Sequence, residues 1–360
     1  TDGTGYCWGR NHNRQLGDTT TTDRNTPVEV GGSHDWSVIE ASQDHSCGIT
    51  TLGLAYCWGY NGYGNIGNGG YSTASTPVMV SGGHSWSDIS LGQYFSCGIA
   101  DTGSAYCWGY NSYYNLGNGG SSTAVTPTLV SGGIDWSDIE VGENHGCGIA
   151  IDGQAYCWGR GNSGQIGNGG SSNQATPTLV SGGDSWQNIS SNRDFTCAVN
   201  ANDVGYCWGV NGYGQLGDGT TTNRSRPTLV SGGHFFAAIS AGMLHAGATL
   251  AAPDTQPNSF DFVNVNGNPD QVVKSAALRP AGFNRTTSVS LSGTGSPEYR
   301  VCSNSSCSSV EHDWSSAAGS LSPGEFIQIR ATSGSNIGDT VTANITLGGV
   351  TDSWTVTTDL

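Results

Sequence analysis

The 360-residue chain reads as an all-β protein: five 50-residue repeats over residues 1–250, a linker at 251–259 and a second β unit over 260–360. Three observations give this reading. Tyr-Cys-Trp-Gly recurs at 6–9, 56–59, 106–109, 156–159 and 206–209. Pro27, Pro77, Pro127, Pro177 and Pro227 keep the same step, as do Ile39, Ile89, Ile139, Ile189 and Ile239. No amphipathic helical pattern competes, and the period is the size of one four-stranded propeller blade.

Within one repeat, four short strands are expected at roughly 76–80, 86–92, 95–100 and 105–109, separated by Gly-, Asn- and Ser-rich turns. The proline in the first of these suits a strand start, where no ladder donor is lost. The frame is offset, because residue 1 begins at the last strand of a blade and residue 250 ends after the third strand of another. Joining residues 241–250 to 1–9 would complete a fifth blade and remove two exposed edges. A closed five-bladed ring, its ends pairing, is therefore the expected form. An open arc, or a ring completed by another chain or by missing residues, is the alternative.

The residues "YCWGVNGYGQLGDGTTTNRSRPTLV" (206–230) and the Gly-x-x-His step in "GMLHAG" (242–247) resemble the regulator of chromosome condensation repeat family. The resemblance extends over all five units and implies a β-propeller. Members usually have seven blades, whereas five repeats stand here. The family includes guanine-nucleotide exchange factors that bind chromatin, and bacterial members include secreted inhibitors and surface proteins. The composition suits the second group better.

After Leu250, "AAPDTQPNS" (251–259) reads as a polar linker. Alternating strands follow at 260–265, 288–293, 298–303, 325–333, 340–349 and 352–359, about seven strands in 100 residues with those left unassigned. Stretches such as "GEFIQIRATS" (324–333) and "TLGGVTDSWTVTT" (346–358) resemble the Ig-like modules of bacterial extracellular proteins. The resemblance implies an Ig-like β-sandwich over 260–360.

The chain has 11 cysteines. A hairpin centred on Leu52 makes paired positions sum to 104, so Cys47 faces Cys57. The same arithmetic pairs Cys97 with Cys107, Cys147 with Cys157, and Cys197 with Cys207. Each staple would stabilise by about 2–3 kcal/mol in the chain-entropy model. Zinc sites favour cysteines two to four residues apart, so disulfides are the better reading. Cys302 and Cys307 are expected to bridge a tight turn. Cys7 is left over, because its register partner is Gly247. It is expected to be a buried, inert thiol, with an intermolecular bridge or covalent attachment as the sharper alternative. Paired cysteines indicate an oxidising compartment, extracellular or at a cell surface, with any targeting segment already removed.

Net charge is −16, with 28 acidic residues against 12 basic ones. Such a surface repels phosphate backbones, so nucleic acid is not an expected partner. No apolar run reaches the ~20 residues of a membrane-spanning helix. "GYGQLGDG" (212–219) lacks the Lys-Ser/Thr pair of a phosphate loop, and no cofactor or metal is implied. His45, His145 and His245 share one repeat position with Phe95 and Phe195, which marks it as a packing position. Asp138 and Glu140 fall on one side of a strand and are expected to be solvated.

The variable positions after Tyr-Cys-Trp-Gly form the candidate binding face: Arg10, Tyr60, Tyr63, Tyr110, Tyr113, Tyr114, Arg160 and Tyr213. Exposed aromatic and arginine side chains anchor protein and glycan contacts. The competing reading has these tyrosines cover the seams between blades. Asn188, Asn223, Asn284, Asn304 and Asn344 begin Asn-x-Ser/Thr sequons. The expected function is non-enzymatic: an extracellular structural or adhesion protein whose partners are proteins, glycans or copies of itself. A secreted lectin or enzyme inhibitor acting through the inter-blade loops is the second reading, and an enzyme in the central channel the third.

Overall fold

The structure is a computed structural model that describes residues 3–252, 262–280 and 286–359. Most of the expected linker and the sequon at Asn284 lie outside them. The chain forms two compact units, Thr1–Leu250 and Ala251–Leu360, and among the described residues neither contains a helix.

The first unit contains four complete blades. One is built from strands Trp36–Ala41, His45–Thr50, Ala55–Gly59 and Ala74–Met79, antiparallel and in chain order. The others repeat this plan over 86–129, 136–179 and 186–229. The second strand of every complete blade is buried at all six positions, because neighbouring blades cover both of its faces. Pro77 lies inside the fourth strand rather than at a strand start. It falls in the register break between the pairs Gly59–Ala74 and Cys57–Val78, where a missing N–H disturbs no ladder bond.

The blades are joined by one recurring contact. The indole Nε1 of Trp58 donates to the Gln15 carbonyl at 2.9 Å, and Trp108 donates to Asn65 at 3.0 Å. Trp158 to Asn115 and Trp208 to Gln165 repeat the bond at 2.9 Å. All four tryptophans are fully buried. Each indole presses on a glycine of the preceding blade. A Cβ on Gly67 would stand 2.7 Å from Trp108, and the φ of +69° there also favours glycine.

The ends of this arc are two half-blades, Tyr6–Gly9 with Arg24–Glu29 and Phe236–Ala241 with Ala246–Leu250. The ring closure expected between residues 1–9 and 241–250 is not formed. The Tyr6–Gly9 and Ala246–Leu250 strands lie in separate two-stranded sheets, each with one edge unpaired among the described residues. The same tryptophan contact recurs at four seams, from Trp58 to Trp208, and the seam to the last half-blade, 236–250, has none.

Four disulfides staple the second strand of a blade to the third: Cys47–Cys57, Cys97–Cys107, Cys147–Cys157 and Cys197–Cys207. In each the two residues are direct cross-strand partners with Cα atoms 4.0 Å apart. Cys7 is a buried free thiol.

The second unit packs two sheets around one core. One sheet orders Val265–Gly267, Val350–Thr358, Thr340–Leu347, Thr287–Gly293 and Gly319–Leu321. The other orders Val272–Lys274, Phe326–Thr332, Glu298–Cys302 and Val310–Ser315. Val289, Ile327, Ile329, Ile345, Leu347 and Trp354 fill the space between them. Of the strand expected at 260–265, residues 260 and 261 lie outside the described residues, 262–264 form no strand and a strand begins at Val265. Val272–Lys274, Val310–Ser315 and Gly319–Leu321 were not anticipated, two of them being only three residues long. Cys302–Cys307 closes a turn in this unit.

Replacing Trp108 by Phe removes the inter-blade donor and leaves the Asn65 carbonyl with one partner fewer. The expected loss is about 1–3 kcal/mol in chemical denaturation. A change below about 0.5 kcal/mol, the size of an ordinary surface substitution, would contradict the role given to this bond.

Candidate functional site

The loop after four of the five third strands is shaped by a buried asparagine, and the loop after Ala155–Gly159 has Gly161 in its place. Asn61 accepts from the Ile66 N–H at 3.0 Å through Oδ1, and its Nδ2 donates to the Gly70 and Ser72 carbonyls. Asn11, Asn111 and Asn211 make the same closing bond to Leu16, Leu116 and Leu216. In the first and last of these loops an aspartate joins in. Burial disfavours charge on Asp18, but donors from Thr20, Arg24 and Asn11 outweigh it and hold the carboxyl near pKa 2. Asp218 is held at about 2 by Thr220, Arg224 and Asn211 in the same way. These loops are rigid mounts for the side chains they carry.

On two neighbouring mounts the tyrosines form a continuous band. Ring centroids of Tyr60 and Tyr63 are 6.2 Å apart, Tyr63 and Tyr110 5.1 Å, and Tyr110 and Tyr113 6.1 Å. The Arg160 guanidinium lies 5.3 Å from the Tyr113 ring centre, within cation–π range. Tyr94, absent from the candidate set, completes the band at 5.9 Å from Tyr60 and 5.1 Å from Tyr63. Its signal lies in a second variable position, 34 residues after the first. Arg10 pairs with Asp44 at 3.7 Å, Tyr60 with Tyr94, and Arg160 with Asp194 at 3.5 Å.

The candidates therefore divide. Arg10, Tyr60 and Arg160 reach the next blade at Asp44, Tyr94 and Asp194. Tyr63 and Tyr113 stand half out of the protein and present ring faces. Tyr114 is partly buried in a left-handed backbone position, φ 66°, where other repeats place Gly64, Gly164 and Gly214. Tyr213 is 76% exposed and lies beside a small cleft with Asp194, Val210 and Leu244, apart from the band.

The inner strands of neighbouring blades are cross-linked by side chains. Ser90 accepts from the Val141 N–H, Ser190 from Ala241 and Asn188 from Ile239. This crowding corrects the expectation that Asp138 and Glu140 are solvated. Both are partly buried where first strands converge, and their carboxyls share the space with Asp88 and Glu40. Burial, then the charges of Asp138, Asp88 and Glu40, push Glu140 up to about 8. Burial and Asp88 push Asp138 up to about 6.

Where the inner turns meet, a funnel of about 340 Å³ is lined by residues of all five repeats, including Gln43, Gln93, Glu143, Arg193 and Met243. Its two charged groups, Glu143 and Arg193, approach each other to 3.8 Å. His45 and His145 are fully buried away from any nucleophilic constellation. His45 bonds Ser42 and Ser96, and His145 bonds Thr196. Burial keeps both neutral, at about 3 and about 4. Among the described residues no group of three His, Cys, Asp or Glu side chains forms a metal site. The sequon residues Asn188, Asn223, Asn304 and Asn344 all use Oδ1 in hydrogen bonds within the protein.

This combination defines a disulfide-stapled arc of propeller blades that carries a band of tyrosines. The chain belongs to the family of the regulator of chromosome condensation (RCC1) repeat, whose model matches residues 2–49, 53–99, 102–149, 152–199 and 206–248. Its fold is similar to that of human WBSCR16, with a TM-score of 0.62 and 19% identity, covering 69% of this chain and 67% of that one. Yeast RCC1 (Prp20), solved with Kap60, gives 0.61 and 17% over 69% and 63%. Prp20p of Saccharomyces cerevisiae, whose solved structure is described with its binding to Gsp1p and histones, gives 0.61 and 17% over 69% and 65%. The chain thus spans about two thirds of the length of these relatives. No curated protein sequence matches it.

The shifted carboxyls fix the sign of a pH effect. Folded Glu140 keeps its proton up to about pH 8, whereas the unfolded chain releases it near 4.5. The unfolded state then binds fewer protons, so stability falls as pH rises through that interval. His45 and His145 act in the opposite sense, and only below 6.5. Melting temperature is therefore expected to fall between pH 6.5 and 8 and to flatten in E140Q. A flat profile in the unaltered protein would contradict the assignment.

Proposed function

We propose that this chain is a non-catalytic extracellular binding protein with a structural or adhesive role at a cell surface, acting through the tyrosine band. The observation that carries the reading is the contiguous run Tyr94, Tyr60, Tyr63, Tyr110 and Tyr113, capped by Arg160. Rings held by rigid loops lose little conformational entropy on binding, and their faces accept both protein side chains and sugars. Five disulfides suit an oxidising, extracellular compartment. Protein binding is also known for Prp20p of Saccharomyces cerevisiae, described with binding to Gsp1p and histones. The two-sheet C-terminal unit is read as an Ig-like spacer.

A lectin or inhibitor role is the second reading, favoured by the half-exposed rings of Tyr63 and Tyr113, which offer flat faces for stacking on sugars. The double variant Y63A/Y113A separates these roles from a structural one, since both side chains are partly in solvent. Binding to immobilised extracellular-matrix proteins and to a glycan array is to be measured by interferometry. A drop of about 10- to 30-fold, with the melting temperature kept, is expected for whichever ligand the band engages. Unchanged affinity for every ligand bound by the unaltered protein would exclude the band.

A further inference from the structure

One sheet of the C-terminal unit gathers positive charge on its outer face, in a chain that has little of it. Tyr299, Val301, Ile327, Ile329 and Ala331 belong to the core, so alternation turns Glu298, Arg300, Phe326, Gln328 and Arg330 outward. Val273 packs against the same core, which turns Lys274 outward beside Arg330. Trp314, on the edge strand Val310–Ser315, collects three of these cations. The Arg330 guanidinium lies 4.3 Å from its ring centre, that of Arg300 4.8 Å and the Lys274 ammonium 5.6 Å. Arg279 stands 5.9 Å from the ring centre of Phe326. Four of the five basic residues after Leu250 therefore meet at this face, and the fifth, Arg285, lies outside the described residues.

Most of this charge is uncompensated. Arg330 donates through Nε to Glu298 at 2.7 Å and pairs with it through Nη2 at 2.6 Å. Arg300 gives the same two nitrogens to the amide oxygen of Gln328, at 3.0 and 2.8 Å. Among the described residues no carboxylate pairs with Arg300, Lys274 or Arg279, and Glu311 and Asp313, exposed on the edge strand, hold none of them. Like charges gathered around one ring repel each other, so an anion that bridges them is favoured. A guanidinium stacked on an aromatic ring keeps its N–H donors in its own plane, open to a planar acceptor. Glu298 and Gln328 show what fits, an oxygen that takes two N–H groups of one fork.

We propose that this face binds an acidic polysaccharide, a polymer whose sugar rings carry carboxylates. The proposal goes beyond the proposed function, in which this unit is a spacer. Along the strand Phe326–Thr332 the cationic groups at Phe326 and Arg330 stand four residues, about 13 Å, apart, so the face meets an extended chain rather than a single ion. Four cations are too few for a nucleic acid, whose affinity accumulates over many phosphate contacts, and the net charge of −16 opposes it further. A polyuronate is more sparsely charged, and the apolar faces of its sugars suit the rings of Trp314 and Phe326.

The test uses the intact chain and immobilised sodium alginate, a polymer of uronic acids, followed by interferometry. Binding is expected at low ionic strength, weakening steeply as salt is added. It should fall at least 10-fold in Lys274→Gln/Arg300→Gln with the melting temperature kept. The control pair Arg14→Gln/Arg226→Gln removes the same charge from exposed positions of the first unit and should leave the affinity unchanged. Absence of alginate binding, or an equal loss in the control pair, would overturn the proposal. Equal affinity for single-stranded DNA, lost in the same variant, would make the face a general polyanion site and overturn the assignment to a polysaccharide. A mass that rises with concentration in light scattering, and returns to monomer in Lys274→Gln/Arg300→Gln, would give the face to the acidic surface of a second copy instead. Alginate binding lost in Y63A/Y113A but kept in Lys274→Gln/Arg300→Gln would move the ligand to the tyrosine band, so the two proposals fail separately.

Discussion

The arc depends on the hydrogen bond from an indole N–H to a carbonyl 43 residues earlier, in the preceding blade. A sheet face of four short strands is too small to be stable alone, and the tryptophan supplies the apolar area that makes a neighbour obligatory. The bond to Gln15, Asn65, Asn115 or Gln165 then fixes where in the neighbour the ring sits. A glycine is required beneath it, since any side chain would occupy the space of the ring. Indole, carbonyl and glycine are thus one constraint repeated at four seams, and the buried second strands and inner cross-links follow from it.

The same constraint shapes the electrostatics. Bringing first strands together forces Asp88, Asp138 and Glu140 into a partly dehydrated space with few counter-charges. Burial raises the pKa of all three, and Glu140, pushed up to about 8, keeps its proton at neutral pH. The carboxylates at Asp18 and Asp218 are treated in the opposite way, surrounded by donors that stabilise their charge. An acidic chain therefore carries two kinds of carboxyl, one tuned toward neutrality in the interior and one locked as an anion in the loops.

Much of this was legible in the sequence, because repetition turns one residue pattern into five observations. Tyr-Cys-Trp-Gly every 50 residues marked one strand of each repeat, read as the last of its blade where the structure makes it the third, and the spacing of the cysteines defined the register of the hairpins. What escaped was whatever depends on how blades meet. Ring closure looked reasonable because the strand inventory balances, but closure depends on how successive blades are placed, which no strand count contains. Glu140 looked solvated because alternation assigns it to a strand face without saying that another blade stands there. Tyr94 was missed because its partner Tyr60 is 34 residues away and in another sheet. The short strands of the C-terminal unit carry too few residues to show alternation.

No disulfide of the arc links one blade to another; each lies within a single hairpin. Blades are thus joined only by non-covalent contacts and by the chain itself, while the hairpin of second and third strands in each complete blade is covalently locked. Under tension the seams would yield one at a time, and each unravelled repeat would release only the residues outside its staple. With 10 of every 50 residues shielded, extension per repeat is about 140 Å at ~3.5 Å per residue. The staples leave a folded nucleus in each opened repeat, a starting point from which the blade can re-form when the load is removed.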